Sequence, residues 1–154
     1  MPVEVRTLTG AEIADAIEAL ADLRISVFRA FPYLYDGDAA YEAAYLREFA
    51  AAPDSALIAA VDAGRIVGAA TASPMIAQKA EFQAPFIARG HDVSRLFYFG
   101  ESVLLPEWRG QGVGHRFFDA REAAARAAGA VEASFCAVVR PDDHPERPAG
   151  YRPL

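Results

Sequence analysis

The chain has 154 residues, of which 53% are hydrophobic, and a formal net charge of −6. This apolar content excludes a disordered chain, and the acidic balance argues against general nucleic-acid binding, which needs clustered Lys and Arg. The length suits a single domain over residues 1–154 with room for a core. One cysteine, Cys136, excludes an internal disulfide and any cysteine-based metal cluster. Residues 1–10 do not read as a signal peptide, and no apolar run reaches the length that crosses a bilayer. The expectation is a soluble cytoplasmic protein with no membrane partner. The preference for Ala and for Arg over Lys suggests a GC-rich, bacterial source.

Residues 3–8 alternate apolar and polar, as a half-buried strand does. Thr9 with Glu12 resembles a capping box. Ile13, Ile17, Leu20, Val27 and Phe31 then recur at helical spacing up to Pro32. Asp36-Gly37-Asp38 reads as a turn and cap for a second helix over 39–52, with Tyr41, Ala44, Tyr45 and Phe49 on one face. Residues 56–61 form a buried-looking strand, turned back by Asp62-Ala63-Gly64 into a hairpin with 65–72. Residues 75–95 are the least regular stretch and read as a lid-like loop with one short helix. A strand over 96–105 is followed by a glycine loop, a helix over 113–128 and a last strand over 131–139. In that helix Arg116, Asp119, Glu122 and Arg126 form the solvent stripe, and Phe117, Ala120, Ala124 and Ala128 the buried one. Residues 140–154 are rich in proline and charge and show no period. The order predicts an α/β (α+β) fold: a mixed, largely antiparallel central sheet flanked by helices.

The most informative stretch is Arg109-Gly110-Gln111-Gly112-Val113-Gly114, between strand and helix. Glycines there let the backbone turn tightly, and the helix N-terminus adds free N–H groups and a positive dipole end, which together favour a phosphate or diphosphate. A Walker-type loop would need Lys and Ser/Thr after the last glycine, where His115 and Arg116 stand. A dinucleotide fingerprint would need other glycine spacing after the first strand of a parallel unit. A purely structural turn is the bland alternative. The loop resembles the Arg/Gln-x-x-Gly-x-Gly/Ala loop of the GNAT N-acetyltransferases, and Val103-Leu104-Leu105-Pro106-Glu107-Trp108 resembles that family's strand leading into it. The resemblance covers roughly residues 3–140 and extends to the order of elements.

The resemblance implies that Arg109, Gly110, Gln111, Gly112, Val113, Gly114 and His115 grip the diphosphate of acetyl-CoA as cosubstrate. It further implies that the pantetheine arm pairs with the backbone of Val103, Leu104 and Leu105, in a gap between splayed strands, with residues 131–139 as the other wall. The expected reaction is direct acetyl transfer, in a ternary complex, to a primary amine on a small molecule or peptide; the alternative is a non-catalytic acyl-CoA-binding or regulatory module. Strand alternation puts Phe97, Phe99, Glu101, Val103 and Leu105 on one face. Glu101 is then a carboxylate on an apolar face, where burial raises its pKa toward neutrality and suits a general base. The family's usual acid, a Tyr on a later helix, has only Tyr151 as a counterpart. The family usually continues through that helix and two more strands, so a C-terminal truncation is one expectation, and the bare sheet edge would invite a homodimer.

The remaining candidates are weaker. Gly100-Glu101-Ser102-Val103-Leu104 lacks the final glycine of a nucleophile elbow. His91, His115 and His144 lack metal spacing, so no metal site is expected. Cys136 reads as a core thiol. Tyr33, Tyr35 and Tyr41 are candidates to line an acceptor pocket.

Overall fold

The computed structural model describes residues 2–152. Strand β1 (Glu4–Leu8) leads into helices α1 (Ala11–Asp15), α2 (Ile17–Phe28) and α3 (Ala39–Ala51). Strands β2 (Ala56–Asp62) and β3 (Arg65–Pro74) form the hairpin. Helix α4 (Ala80–Ala88), flanked by two 3-10 turns, is the one short helix expected within the lid-like stretch 75–95. Strand β4 (Leu96–Leu104), helix α5 (Val113–Ala127) and strand β5 (Glu132–Phe135) complete the order.

The first predicted helix is broken at Ala16, and Gly10 rather than Thr9 stands at its start without a side-chain cap. Asp38 does cap α3, accepting from the Tyr41 N–H at 2.8 Å. One sheet runs β1-β2-β3-β4-β5. The first four strands pair antiparallel, and β5 pairs parallel to β4. Helices α1–α3 cover one face, packing Ile13, Leu20 and Leu46 onto Leu57, Ala59 and Val103. Helix α5 covers the other, where Val113 and Phe117 pack on Ile58, Val67 and Ala70. Ala128, expected on the buried stripe, is exposed at the end of α5.

Two local features shape the middle of the sheet. Ala70 pairs with Ser102 and Ala72 with Phe99, so β4 holds one residue more than β3 there. This is a bulge at Gly100–Glu101. The extra residue reverses the alternation, and the expected shared face does not form. Phe97 and Phe99 pack with Ala125 of α5, while Val103 lies in the cluster on the opposite face.

The β4–β5 ladder is also short. It runs only from Leu96↔Glu132 to Phe99↔Phe135. Past the bulge, β4 continues to Leu104 with no strand on its β5 side among the described residues, so the two strands fork. Strand β5 stops at Phe135 instead of the expected residue 139, where its ladder to β4 ends beside the bulge. Arg140 draws the following segment to the α2–α3 corner, donating to the Pro32 and Tyr33 carbonyls at 2.7 and 3.0 Å. Cys136 consequently lies beyond the strand and is exposed, not in the core.

Candidate active site

The glycine loop folds as its residues dictate. Gly110 and Gly112 both have positive φ, 74° and 76°, which side-chain-bearing residues adopt only at a cost. Gly112 is the N-cap of α5, and no side chain caps the helix. The first helical bond runs from Arg116 N–H to the Gly112 carbonyl. The N–H groups of Val113, Gly114 and His115 therefore precede the intrahelical ladder. No acidic residue stands in that first turn, and a Cβ built on Gly110, Gly112 or Gly114 would meet nothing within 4 Å. An anionic group fits here: open space, free donors and a positive dipole end coincide.

Strand β4 runs from this loop back to the bulge. Just past its end the Leu105 N–H donates to the Val67 carbonyl of β3 at 2.9 Å, whereas the Leu104 carbonyl faces the fork and accepts from Arg109 Nε at 3.0 Å. Alternation puts the backbone of Ser102 on the same open side. Of the three residues expected to pair with an inserted arm, Leu104 thus presents its main chain to the gap, and Val103 is buried on the α2 side.

Glu101 sits at the bulge, held by residues from three other elements. Thr71 of β3 donates to its Oε2 at 2.8 Å and accepts its backbone N–H at 3.1 Å. Tyr45 of α3 donates to Oε1 at 3.3 Å. The Arg24 guanidinium of α2 reaches Oε1 at 3.2 Å and also pairs with Glu42, which is 1% exposed. Gly100 is required by this arrangement, since a Cβ there would fall 2.3 Å from the Thr71 hydroxyl oxygen.

The electrostatics differ from the expectation of a raised pKa. Burial pushes the Glu101 carboxyl up, but Arg24 and the Thr71 hydroxyl outweigh it and hold the group below its ordinary value. Burial, then the Glu101 carboxylate, pushes the Tyr45 phenol well above its usual range, so Tyr45 stays protonated. Neither Arg24 nor Thr71 stood out in the sequence, because each lies on a separate element far from the glycine loop.

Beside Tyr45 opens a cleft of about 400 Å³ between α3 and residues 75–79, lined by Tyr41, Glu48, Ser73, Gln78 and Lys79. Tyr41, 64% exposed, stands at its edge. Tyr33 packs instead against Phe28, with ring centres 4.7 Å apart. Tyr151 lies edge-on to Phe31 in the irregular tail, not on a helix. The histidines are scattered: His91 meets Glu132 at 2.9 Å, His115 is exposed, and His144 lies beside Phe31.

Residues 18–148 match the profile of the acetyltransferase (GNAT) family. The chain belongs to the GNAT acetyltransferase family. No curated protein resembles its sequence closely enough to count as a match. Among solved structures, this GNAT chain resembles an aminoglycoside N-acetyltransferase, AAC(6')-Iy, in complex with CoA. The TM-score is 0.64 at 19% identity, covering 88% of this chain and 76% of that one. An aminoglycoside acetyltransferase from an uncultured soil metagenomic sample, in complex with sisomicin, gives 0.60 at 16%, covering 88% and 78%. A ribosomal-protein-alanine N-acetyltransferase from Brucella melitensis gives 0.57 at 13%, covering 87% and 79%. At these identities the likeness is one of fold. Among the described residues, no helix is long and apolar enough to cross a membrane.

Proposed function

We propose that this GNAT chain transfers an acetyl group from acetyl-CoA to a primary amine on a small molecule or peptide. The observation that carries the reading is the coincidence of an uncapped α5, three open glycines and a forked β4 on one continuous path. In this reading the first-turn N–H groups and the Gly110–Gly114 loop hold the diphosphate, and Arg109 leaves the Leu104 carbonyl to face the outer phosphates. The main chain of Ser102 and Leu104 receives the arm. Donors fixed along this strand face the charge that develops on the thioester carbonyl without needing to reorganise.

The cleft beside α3 takes the acceptor. Glu48 at its wall attracts a cationic amine, and Tyr45, which also lines it, links the cleft to the Glu101 carboxylate behind. Glu101 is ionised at neutral pH, so it is always able to accept a proton, directly or through water. Its low pKa makes it a weak base, and much of its effect is to orient the amine. The Arg24–Glu101 pair also favours a second reading, a non-catalytic acyl-CoA-binding module, because that ion pair competes with an amine for the carboxylate.

Acetyl transfer to a panel of amines, followed by release of free thiol, tests the proposal. Turnover with at least one amine is expected. Saturable acetyl-CoA binding with no transfer to any amine would favour the module, and no binding would remove both readings.

A further inference from the structure

The buried stripe of α5 runs Val113, Phe117, Arg121 and Ala125, each four residues apart. Three of these are apolar, as packing requires. Arg121 is not, and it is 1% exposed. Among the described residues its Nε has no hydrogen-bond partner and no carboxylate lies within ion-pair distance of it. A buried guanidinium with no anion in contact is expensive. Packing accounts for its alkyl stem but not for its charge.

Its surroundings do suggest a use. The guanidinium lies 4.4 Å from the ring centre of Phe118 and 5.0 Å from that of Phe99. These faces hold its plane and offset part of the lost hydration, but they offer no lone pairs to its N–H groups. Phe99 is the last β4 residue paired to β5, opposite Phe135. Phe118 touches both rings, at 6.1 and 5.8 Å. Arg121 thus stands at the point where the two strands part, on the α5 face of the sheet. Glu101, Tyr45 and the acceptor cleft occupy the other face. Burial lowers the Arg121 pKa to about 10, partly offset by the Glu101 carboxylate, which lies beyond ion-pair distance, so the group is still cationic at neutral pH.

We propose that Arg121 receives a carboxylate carried at the far end of the acyl group, so that the preferred donor is a dicarboxylic acyl thioester of coenzyme A, such as malonyl- or succinyl-CoA. This rests on the acyl-CoA reading above, keeps its diphosphate and arm sites, and replaces acetyl by a dicarboxylic acyl group as the preferred cargo. An acetyl methyl group gains nothing from a cation at the fork, whereas a carboxylate there gains charge-assisted hydrogen bonds from a nearly buried guanidinium. The acyl tail and the acceptor amine then approach from opposite faces and do not compete.

Calorimetric titration of the full chain with CoA, acetyl-CoA, malonyl-CoA and succinyl-CoA tests this without any turnover. The wild type should bind at least one dicarboxylic thioester about tenfold more tightly than acetyl-CoA, as one charge-assisted bond implies. Arg121→Met should erase that preference and leave CoA and acetyl-CoA affinity within about threefold. Equal wild-type affinities for acetyl and dicarboxylic donors would overturn this inference alone, and that comparison needs no variant to fold. Parallel loss of all four ligands in Arg121→Met would also overturn it, by placing the guanidinium on the shared arm. Failure of every CoA species to bind the wild type would overturn the acyl-CoA reading itself.

Discussion

Replacing Gly112 by Asp separates the anion cradle from the stability of the helix it begins. The position has φ 76°, so any side chain costs about 1–2 kcal/mol in backbone strain. A carboxylate at an uncapped helix N-terminus recovers about 0.3–1 kcal/mol through the dipole. Nothing lies within 4 Å of the new Cβ, so no clash is added. The net loss is about 1 kcal/mol, or a Tm decrease of about 2–4 °C for a chain of this size. Binding should respond far more strongly. One negative charge about 5 Å from a phosphate costs about 3 kcal/mol at an effective dielectric near 20, more than about a hundredfold in Kd. Gly112→Asn matches the size and tolerates positive φ without the charge. Titration of both variants with acetyl-CoA at low and high salt should show Asp weaker than Asn by about that factor, the gap narrowing as salt rises. Equal affinities for Asp and Asn, or a salt-independent gap, would refute the placement of a diphosphate at this helix mouth.

Glu101→Gln should lower kcat by a similar factor at every pH between about 6 and 9, with acetyl-CoA affinity unchanged. The sign follows from the depressed pKa: the base form is complete above it, and only below the ordinary value of 4.5 does protonation set in. A wild-type activity limb near neutrality that disappears in Glu101→Gln would contradict the Arg24–Thr71 clamp. Arg24→Met leaves Glu42 buried without its partner and should destabilise by about 3–5 kcal/mol in urea titration. Adding Glu42→Leu should restore most of that loss; no recovery in the double variant would show that the pair is not the source.

The strands and helices were largely readable from periodicity and turn chemistry, since those are local. Residues 39–52 and 113–128 end within a residue of the observed helices because Asp38, Gly112 and Gly129 mark their ends. The bulge was hidden. Gly100 among Phe97, Phe99 and Val103 looks like one more strand position, and only the register with β3 reveals the extra residue. Expecting Glu101 on a greasy face followed from that uninterrupted alternation, and so did the expected rise in its pKa. Its partners Arg24, Tyr45 and Thr71 are brought together only by the packing of α2 and α3 on the sheet. Arg121 was in principle visible: its four-residue spacing from Phe117 and Ala125 puts a cation in a buried row.

The irregularity at Gly100 makes the length of β4 a property of the site. Removing one residue there would restore simple parity along the strand and turn Glu101, Val103 and the loop approach inside out together. Insertions or deletions between Phe97 and Leu104 are therefore tolerable only in pairs, a constraint that recombination or loop grafting in this chain would have to respect.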